Sequence, residues 1–233
     1  SGPSGLYTRL VALESLTALA LKNAAETGRG GKGTIYVWAG GNGKDRQNNS
    51  NYDGYANSIY TIAVTATDSL GQSAYYSEPG ANILISAPSS GSGGALGVVT
   101  TDRTGNLGYN TSTSSNELAD RSYTKTFGGT SSATPVVSGV VALMLEKNPN
   151  LGWRGVQEIL IRSATPFLTT DPGWKTNGAG LKFNHQFGAG LVNAAGAANM
   201  AATWTNLTAQ TSLAVSNNTP LTIPNLNDTG GSK

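Results

Sequence analysis

The sequence predicts an α/β fold with parallel strands. Three observations carry that prediction. A helical apolar rhythm near the N-terminus gives way to a β-branched, aromatic run that ends in a glycine-rich turn. Two further apolar runs of strand character follow, and then a segment that is apolar nearly all round. Helix, strand, glycine loop and strand in this order make an α/β unit, and functional groups in such folds gather at the C-terminal ends of the strands.

Taken in order, the elements are these. Apolar residues fall at Leu6, Leu10, Leu13, Leu16, Ala20 and Ala24, a helical spacing within residues 4–26 that GRGGKG stops. Residues 34–39 (TIYVWA) read as a buried strand ending in GGNG. SIYTIAVTA and ANILISAP, the latter ending at Pro88, read as a second and a third strand. Residues 104–126 are polar and poor in large aliphatics, so a surface insertion or hairpin is expected there. Residues 133–145 read as a buried central helix. Gly139 within it costs about 1 kcal/mol against alanine, which points to close helix packing. LGWRGVQEILIRSA is a second, amphipathic helix. After Trp204 the composition shifts to Thr, Asn, Leu and Pro, and a domain boundary is placed there: residues 1–204, then 205–233.

Bulk composition narrows the function. A chain of 233 residues buries a full core. Glycine is abundant, at 31 residues, and charged residues make up 12%, about half the usual ~25%, which fits tight turns better than long solvated helices. A net charge of +2 without a dense Lys/Arg run argues against nucleic acid as a partner. There is no cysteine, so thiolate chemistry and disulfides are excluded. No apolar run reaches the ~18 residues that span a bilayer, and the N-terminus lacks a signal-peptide layout.

Residues 127–135, FGGTSSATP, stand at the mouth of the apolar helix. Pro135 is expected in the first turn, where its missing amide costs little, with a serine or threonine capping the free amides before it. Ser131 therefore has two readings, a cap or a nucleophile at the positive end of the helix dipole. A nucleophile needs donors for a developing oxyanion, and Asn42 in WAGGNG is one candidate; the ordinary reading of that residue is a turn former. Asp53 before Gly54 is an ordinary turn pair, and Glu78 before Pro79 an ordinary loop carboxylate.

Gly129-Thr130-Ser131-Ser132-Ala133-Thr134-Pro135 resembles the G-T-S-x-A-x-P nucleophile motif of the subtilisin-like serine proteases. YVWAGGNG, NYDGYANSIYTI, YSEPG, VVTTD, NPNLGWRGVQ and NHQFGAGLVNAA resemble segments of the kexin/furin branch in kind and order, over residues 2–204 with 104–126 unmatched. The resemblance implies the C-terminal part of a subtilisin-like parallel sheet with helices on both faces, followed by the start of a β-rich P domain. It implies a serine endopeptidase cleaving after basic residues, with Ser131 as nucleophile and Asn42 as oxyanion donor. It implies that Asp53 receives the basic P1 side chain, with Ala39 and Tyr55 lining subsites. It implies a structural Ca²⁺ ligated by Glu78 and by Asn48, which stands where the branch usually has an acid; Asp45 is the nearby substitute. Gly40 replaces a serine usual in the strand-end motif, and no cysteine stands near Asn51 and Tyr52, where many relatives carry one.

The family's triad runs in the order Asp, His, Ser. The one histidine here, His185, follows Ser131, in a segment where relatives carry a non-catalytic histidine. An N-terminal part of the same protease, carrying Asp and His, is therefore the expected partner, and this chain alone is expected to be inactive. Polypeptides with a basic P1 residue and a propeptide or chaperone are further expected partners, and a secreted or periplasmic, bacterial location is expected. Lys233 suits cleavage after a basic residue. The rival readings are a non-catalytic, peptide- or partner-binding pseudo-protease, and a subtilase preferring an apolar P1 residue.

Overall fold

A computed structural model describes residues 10–216 apart from 209 and 212. The expected helix positions before residue 10, including Leu6, and residues 209, 212 and 217–233 of the expected linker and P-domain start (205–233) lie outside these. Three parallel strands form the central sheet: β1 (Tyr36–Ala39), β2 (Thr61–Thr67) and β3 (Ile83–Pro88), in the spatial order β1-β2-β3. The segment from Gly190 to Val192 runs beside β3, with Ser86 N–H donating to Gly190 O and Val192 N–H to Ser86 O, both at 2.9 Å. β-Branched and aromatic residues dominate the strands, as a half- or fully buried pleated surface favours.

Pleat alternation divides the sheet into two faces. Ile62, Val64 and Ala66 of β2 and Ile85 of β3 face α2 (Thr130–Lys147), α3 (Trp153–Ser163) and α4 (Ala194–Thr203) and form the main core with them. Truncating a fully buried residue here, such as Ile62 or Met144 at 1% and 0% exposure, costs about 2–5 kcal/mol. Ala63 points the other way, and a shift of register between Ala63 and Val64, which pair with Ile83 and Ile85, turns Ile83 with it, under Ala56 and with Trp38 against them. β4 (Val98–Thr101) and β5 (Tyr123–Phe127) pair antiparallel, so the polar segment between them is the connection of a hairpin. A second small hairpin joins β6 (Lys175–Thr176) to β7 (Lys182–Phe183).

Four expectations change. The first helix, α1 (Ser15–Gly31), starts later than its periodicity implies, because Val11 is drawn into an extended contact: its N–H donates to Tyr52 O at 2.7 Å. The buried face of α1 is Leu21 and Ala25, while Leu16 is 82% exposed; the helical conformation ends at Gly28, where the glycine run begins. Helix α2 buries only one side: Ala133, Val137, Val140 and Met144 face inward, while Val136 and Leu143 are exposed. Gly139 faces open space, so close packing does not account for it. Strand β1 is half-buried, since it pairs with β2 on one edge alone among the described residues.

Candidate active site

Helix α2 begins at Thr130, so Pro135 is its sixth residue and not in its first turn. Proline there withholds the amide that would bond the carbonyl of Ser131, four residues earlier. Nor is Ser131 a cap. The cap position is Gly129, at φ +79°, and no side chain of that position bonds the helix start. Ser131 is the second residue of the helix and exposed, at the positive end of the dipole. It lines a cleft of about 250 Å³ with Val37, Trp38, Ala39, Thr134 and Pro135.

The cap comes from far away in the chain. Asn42, in the turn after β1, accepts from the Thr130 N–H at 2.8 Å and from the Thr130 hydroxyl at 2.9 Å, both on its Oδ1. With both acceptor positions of Oδ1 occupied, the amide's orientation is fixed and its Nδ2 faces away as a donor. A β-carbon on Gly129 would stand 3.2 Å from Asn42 Nδ2 and 3.6 Å from Ser131 N, so glycine keeps clear a space that both nitrogens border.

Beneath this turn lies Glu78, 9% exposed. Gly41, at φ +112°, brings the backbone so close that a β-carbon would fall on the Glu78 carboxylate. Gly43 N–H donates to Glu78 Oε1 at 2.8 Å. Burial pushes the Glu78 carboxyl above its ordinary value, and the charge of Asp53 adds to this; the Gly43 N–H and the Asn48 amide pull the other way. No cation pairs with Glu78 among the described residues. Asn48, beside it, is 4% exposed, and its Oδ1 is buried without a partner. Asp45 is exposed on the turn Lys44–Arg46.

Asp53 is half-buried at the end of the turn Ser50–Tyr52. Its Oδ1 accepts from Tyr55 N–H at 2.8 Å, an Asx turn that leaves Oδ2 for another partner. Tyr55 stacks on Trp38 with ring centroids 4.7 Å apart and planes within 4°. Ala39 follows Trp38 at the end of β1. His185 is exposed, with its ring edge-on to Phe183 at 5.5 Å.

The fold thus gathers two groups of the expected residues: Ser131 with Asn42, and Glu78 with Asn48 and Asp53. Three contributors were missed: Thr130, which anchors Asn42; Trp38, which backs Tyr55; and Tyr76, whose hydroxyl accepts from Gly129 N–H at 3.1 Å. The signal for Trp38 was its place next to Ala39 in one strand. For Thr130 and Tyr76 the partners are 88 and 53 residues away in sequence, and no local pattern carries them.

Known proteins agree on the family. The profile of the subtilase family matches residues 8–190. Furin-like protease 1 of Drosophila melanogaster is 39% identical over 189 residues, which cover 81% of this chain and 16% of that protein. A PC3-like endoprotease of Hydra vulgaris is 39% identical over 198 residues, 84% of this chain and 26% of that one. The solved serine protease of Aeromonas sobria superposes with a TM-score of 0.79 at 27% identity, over 88% of this chain and 43% of that one. In complex with its chaperone the same enzyme gives 0.81 at 26% identity, over the same shares. The chain thus spans about a sixth to a quarter of these curated relatives, and by fold, motif and profile alike it belongs to the subtilase family.

Proposed function

We propose that this chain carries the nucleophile, the oxyanion donors and the P1 pocket of a kexin-like serine endopeptidase that cleaves after basic residues. The single observation that carries the reading is the locked Asn42 amide, whose free nitrogen and the Ser131 nitrogen stand 3.2 and 3.6 Å from one point, the place of a β-carbon on Gly129. A fixed pair of donors costs no reorganisation when negative charge develops between them.

In this reading Ser131 Oγ attacks the scissile carbonyl, and its proton passes to a histidine. That histidine, with its aspartate, comes from an N-terminal part of the same protease, because His185 packs on Phe183 and does not line the cleft with Ser131. The oxyanion lies between Ser131 N–H and Asn42 Nδ2–H. Collapse breaks the peptide bond, the leaving amine takes the proton from the imidazolium, and an ester remains on Ser131. Water, deprotonated by the same imidazole, then releases the acid and restores the serine. The free Oδ2 of Asp53 pairs with a P1 arginine or lysine, while Ala39 and the Tyr55–Trp38 stack form the walls.

The residues around Glu78 fit a structural calcium ion. A buried carboxylate without a cation and a partnerless amide oxygen on Asn48 are hard oxygen donors of the kind calcium takes. Bound there, the ion would offset the charge of Glu78 below the P1 pocket. With one amide in place of an acid, the site is weaker than one built on two carboxylates. A chaperone or propeptide is a further proposed partner, on the precedent of the Aeromonas complex, and a secreted or periplasmic location goes with this reading.

The test is hydrolysis of matched peptides with Arg or Leu at P1, by this chain assembled with its N-terminal part. Cleavage after Arg that is lost in Ser131→Ala supports the proposal. Binding of peptide without cleavage by the assembled protein would replace it with the pseudo-protease reading.

A further inference from the structure

Tyr76 stands between the two turns that carry the proposed oxyanion donors. It is 8% exposed, and its hydroxyl donates to Ser90 O at 2.7 Å. That uses its one hydrogen, so toward the Gly129 N–H, at 3.1 Å, the oxygen is an acceptor. Ser89, 4% exposed, donates to Gly129 O at 2.7 Å. The Gly129 carbonyl and the Thr130 N–H belong to one planar peptide and point to opposite sides of the chain. Ser89, with the Ser132 hydroxyl at 3.1 Å from the same oxygen, therefore holds one edge of this peptide and Asn42, on Thr130 N–H, the other. The next amide is Ser131 N–H, and because Thr130 is already helical, its direction follows from the clamped plane.

The main chain of the same tyrosine reaches the other turn. Tyr76 O accepts from Lys44 N–H at 3.1 Å, two residues beyond Asn42. Two residues after Tyr76, Glu78 N–H donates to Gly41 O at 3.1 Å. One short segment thus grips Gly41–Lys44 with its backbone and Gly128–Gly129 with its phenol. A phenol that merely filled the core would satisfy its hydroxyl on any nearby group; this one spans the site.

We propose that Tyr76, assisted by Ser89, is a positioning residue that sets the spacing between Asn42 Nδ2 and Ser131 N–H. The inference rests on the reading of Ser131 as nucleophile and Asn42 as oxyanion donor. Its effect is confined to the oxyanion, because neither residue touches Asp53 or the Tyr55–Trp38 wall in the contacts of the site.

The experiment is a double-mutant cycle in the assembled protease, Tyr76→Phe against Asn42→Ala, with kcat and KM on an Arg-P1 peptide. Affinity for a peptidyl boronate, whose adduct places a charged oxygen in the hole, is the second readout. Tyr76→Phe should lower kcat about five- to tenfold with KM within about twofold, the size of one lost hydrogen bond. It should weaken the boronate by a similar factor, and both losses should shrink below about twofold once Asn42 is alanine. An equal loss in both backgrounds, a change in KM alone, or no loss would overturn the proposal. Ser131→Ala, run alongside, separates the two levels. Activity surviving in Ser131→Ala sinks the nucleophile reading, and the proposal on Tyr76 with it; a dead Ser131→Ala beside an unaffected Tyr76→Phe sinks the positioning role alone. Should Tyr76→Phe fail to fold, Ser89→Ala loosens the next peptide, leaving Ser132 as the one hydroxyl on Gly129 O, and must show the same kcat-only, Asn42-dependent loss.

Discussion

Asn42 and Thr130 are bound twice, through the Thr130 backbone amide at 2.8 Å and its hydroxyl at 2.9 Å, both on Asn42 Oδ1. One amide side chain therefore does two jobs. Its oxygen caps a helix 88 residues away, and its nitrogen is left as a donor beside Gly129.

The two jobs come apart in Asn42→Asp. A carboxylate still accepts from Thr130 and suits a helix N-terminus, but it has no N–H to offer. Turnover should fall about 10²–10³-fold, the loss known for this donor in subtilisin itself. Thermal stability should stay near that of the parent. Asn42→Ala should lose both, with about 1 kcal/mol of stability gone with the cap. Paired kinetic and melting curves read this out, and equal stability of the two variants would contradict the capping role.

Thr130→Val keeps the shape and the backbone bond but removes the hydroxyl. It also strips Gly41 N–H of its acceptor, now the Thr130 hydroxyl at 3.3 Å. Thr130 is fully buried, so a destabilisation of about 1–3 kcal/mol is expected in chemical denaturation.

Asp53→Asn retains the oxygen that accepts from Tyr55 N–H and so retains the turn. Only the charge is lost. Cleavage after Arg should fall about 10²-fold or more in kcat/KM, with cleavage after Leu little changed. Unchanged preference for Arg would remove Asp53 from the P1 pocket.

Glu78 makes a linked prediction about pH and calcium. Its pKa is raised in the fold, so without metal the folded state holds the proton more tightly than the unfolded chain. Stability from this group is therefore greatest below the ordinary carboxylate value and falls as pH rises through the raised one. Calcium should reverse the loss at neutral pH, and Glu78→Gln should abolish both the pH slope and the calcium response. Melting temperature against pH, with Ca²⁺ or with chelator, measures it. A Glu78→Gln protein still stabilised by calcium would place the ion elsewhere.

Glu117 behaves in the opposite sense. Desolvation raises its pKa, but the hydroxyls of Thr124 and Thr126 and the amides of Lys125 and Leu118 outweigh this and hold it down at about 2. The carboxylate should support the β4–β5 hairpin at all pH values above the ordinary 4.5 and release it as pH falls toward 2. Amide exchange at Lys125, which donates to Glu117 at 2.8 Å, should quicken over that window in the parent and at all pH values in Glu117→Gln.

The sheet was legible because β2 and β3 are written locally, as runs of β-branched and small apolar residues that bury both faces. Strand β1 was legible too, but its half-burial was not, since that depends on an edge and not on composition. The start of α1 was hidden because Val11 is held by Tyr52 across the fold, which takes the preceding residues out of any helix. Pro135 misled for the same reason. A proline near a helix start is most easily placed in the first turn, yet the true start is set by Asn42, which no window around Pro135 contains. The family resemblance named residues that the fold brings near one another, Asn42 beside the start of α2 and Asn48 beside Glu78. It did not reveal what holds them, because Tyr76, Ser89 and Thr130 act through backbone groups whose partners are far away in sequence.

The most direct test of the account is covalent trapping of Ser131. The assembled protease is treated with a fluorophosphonate, and the adduct is located by peptide mass spectrometry. One adduct, on Ser131, formed more slowly in Asn42→Ala, absent in Ser131→Ala and absent when the part carrying Asp and His is withheld, is the predicted result. An assembled protein that cleaves peptides while Ser131 stays unmodified would contradict it.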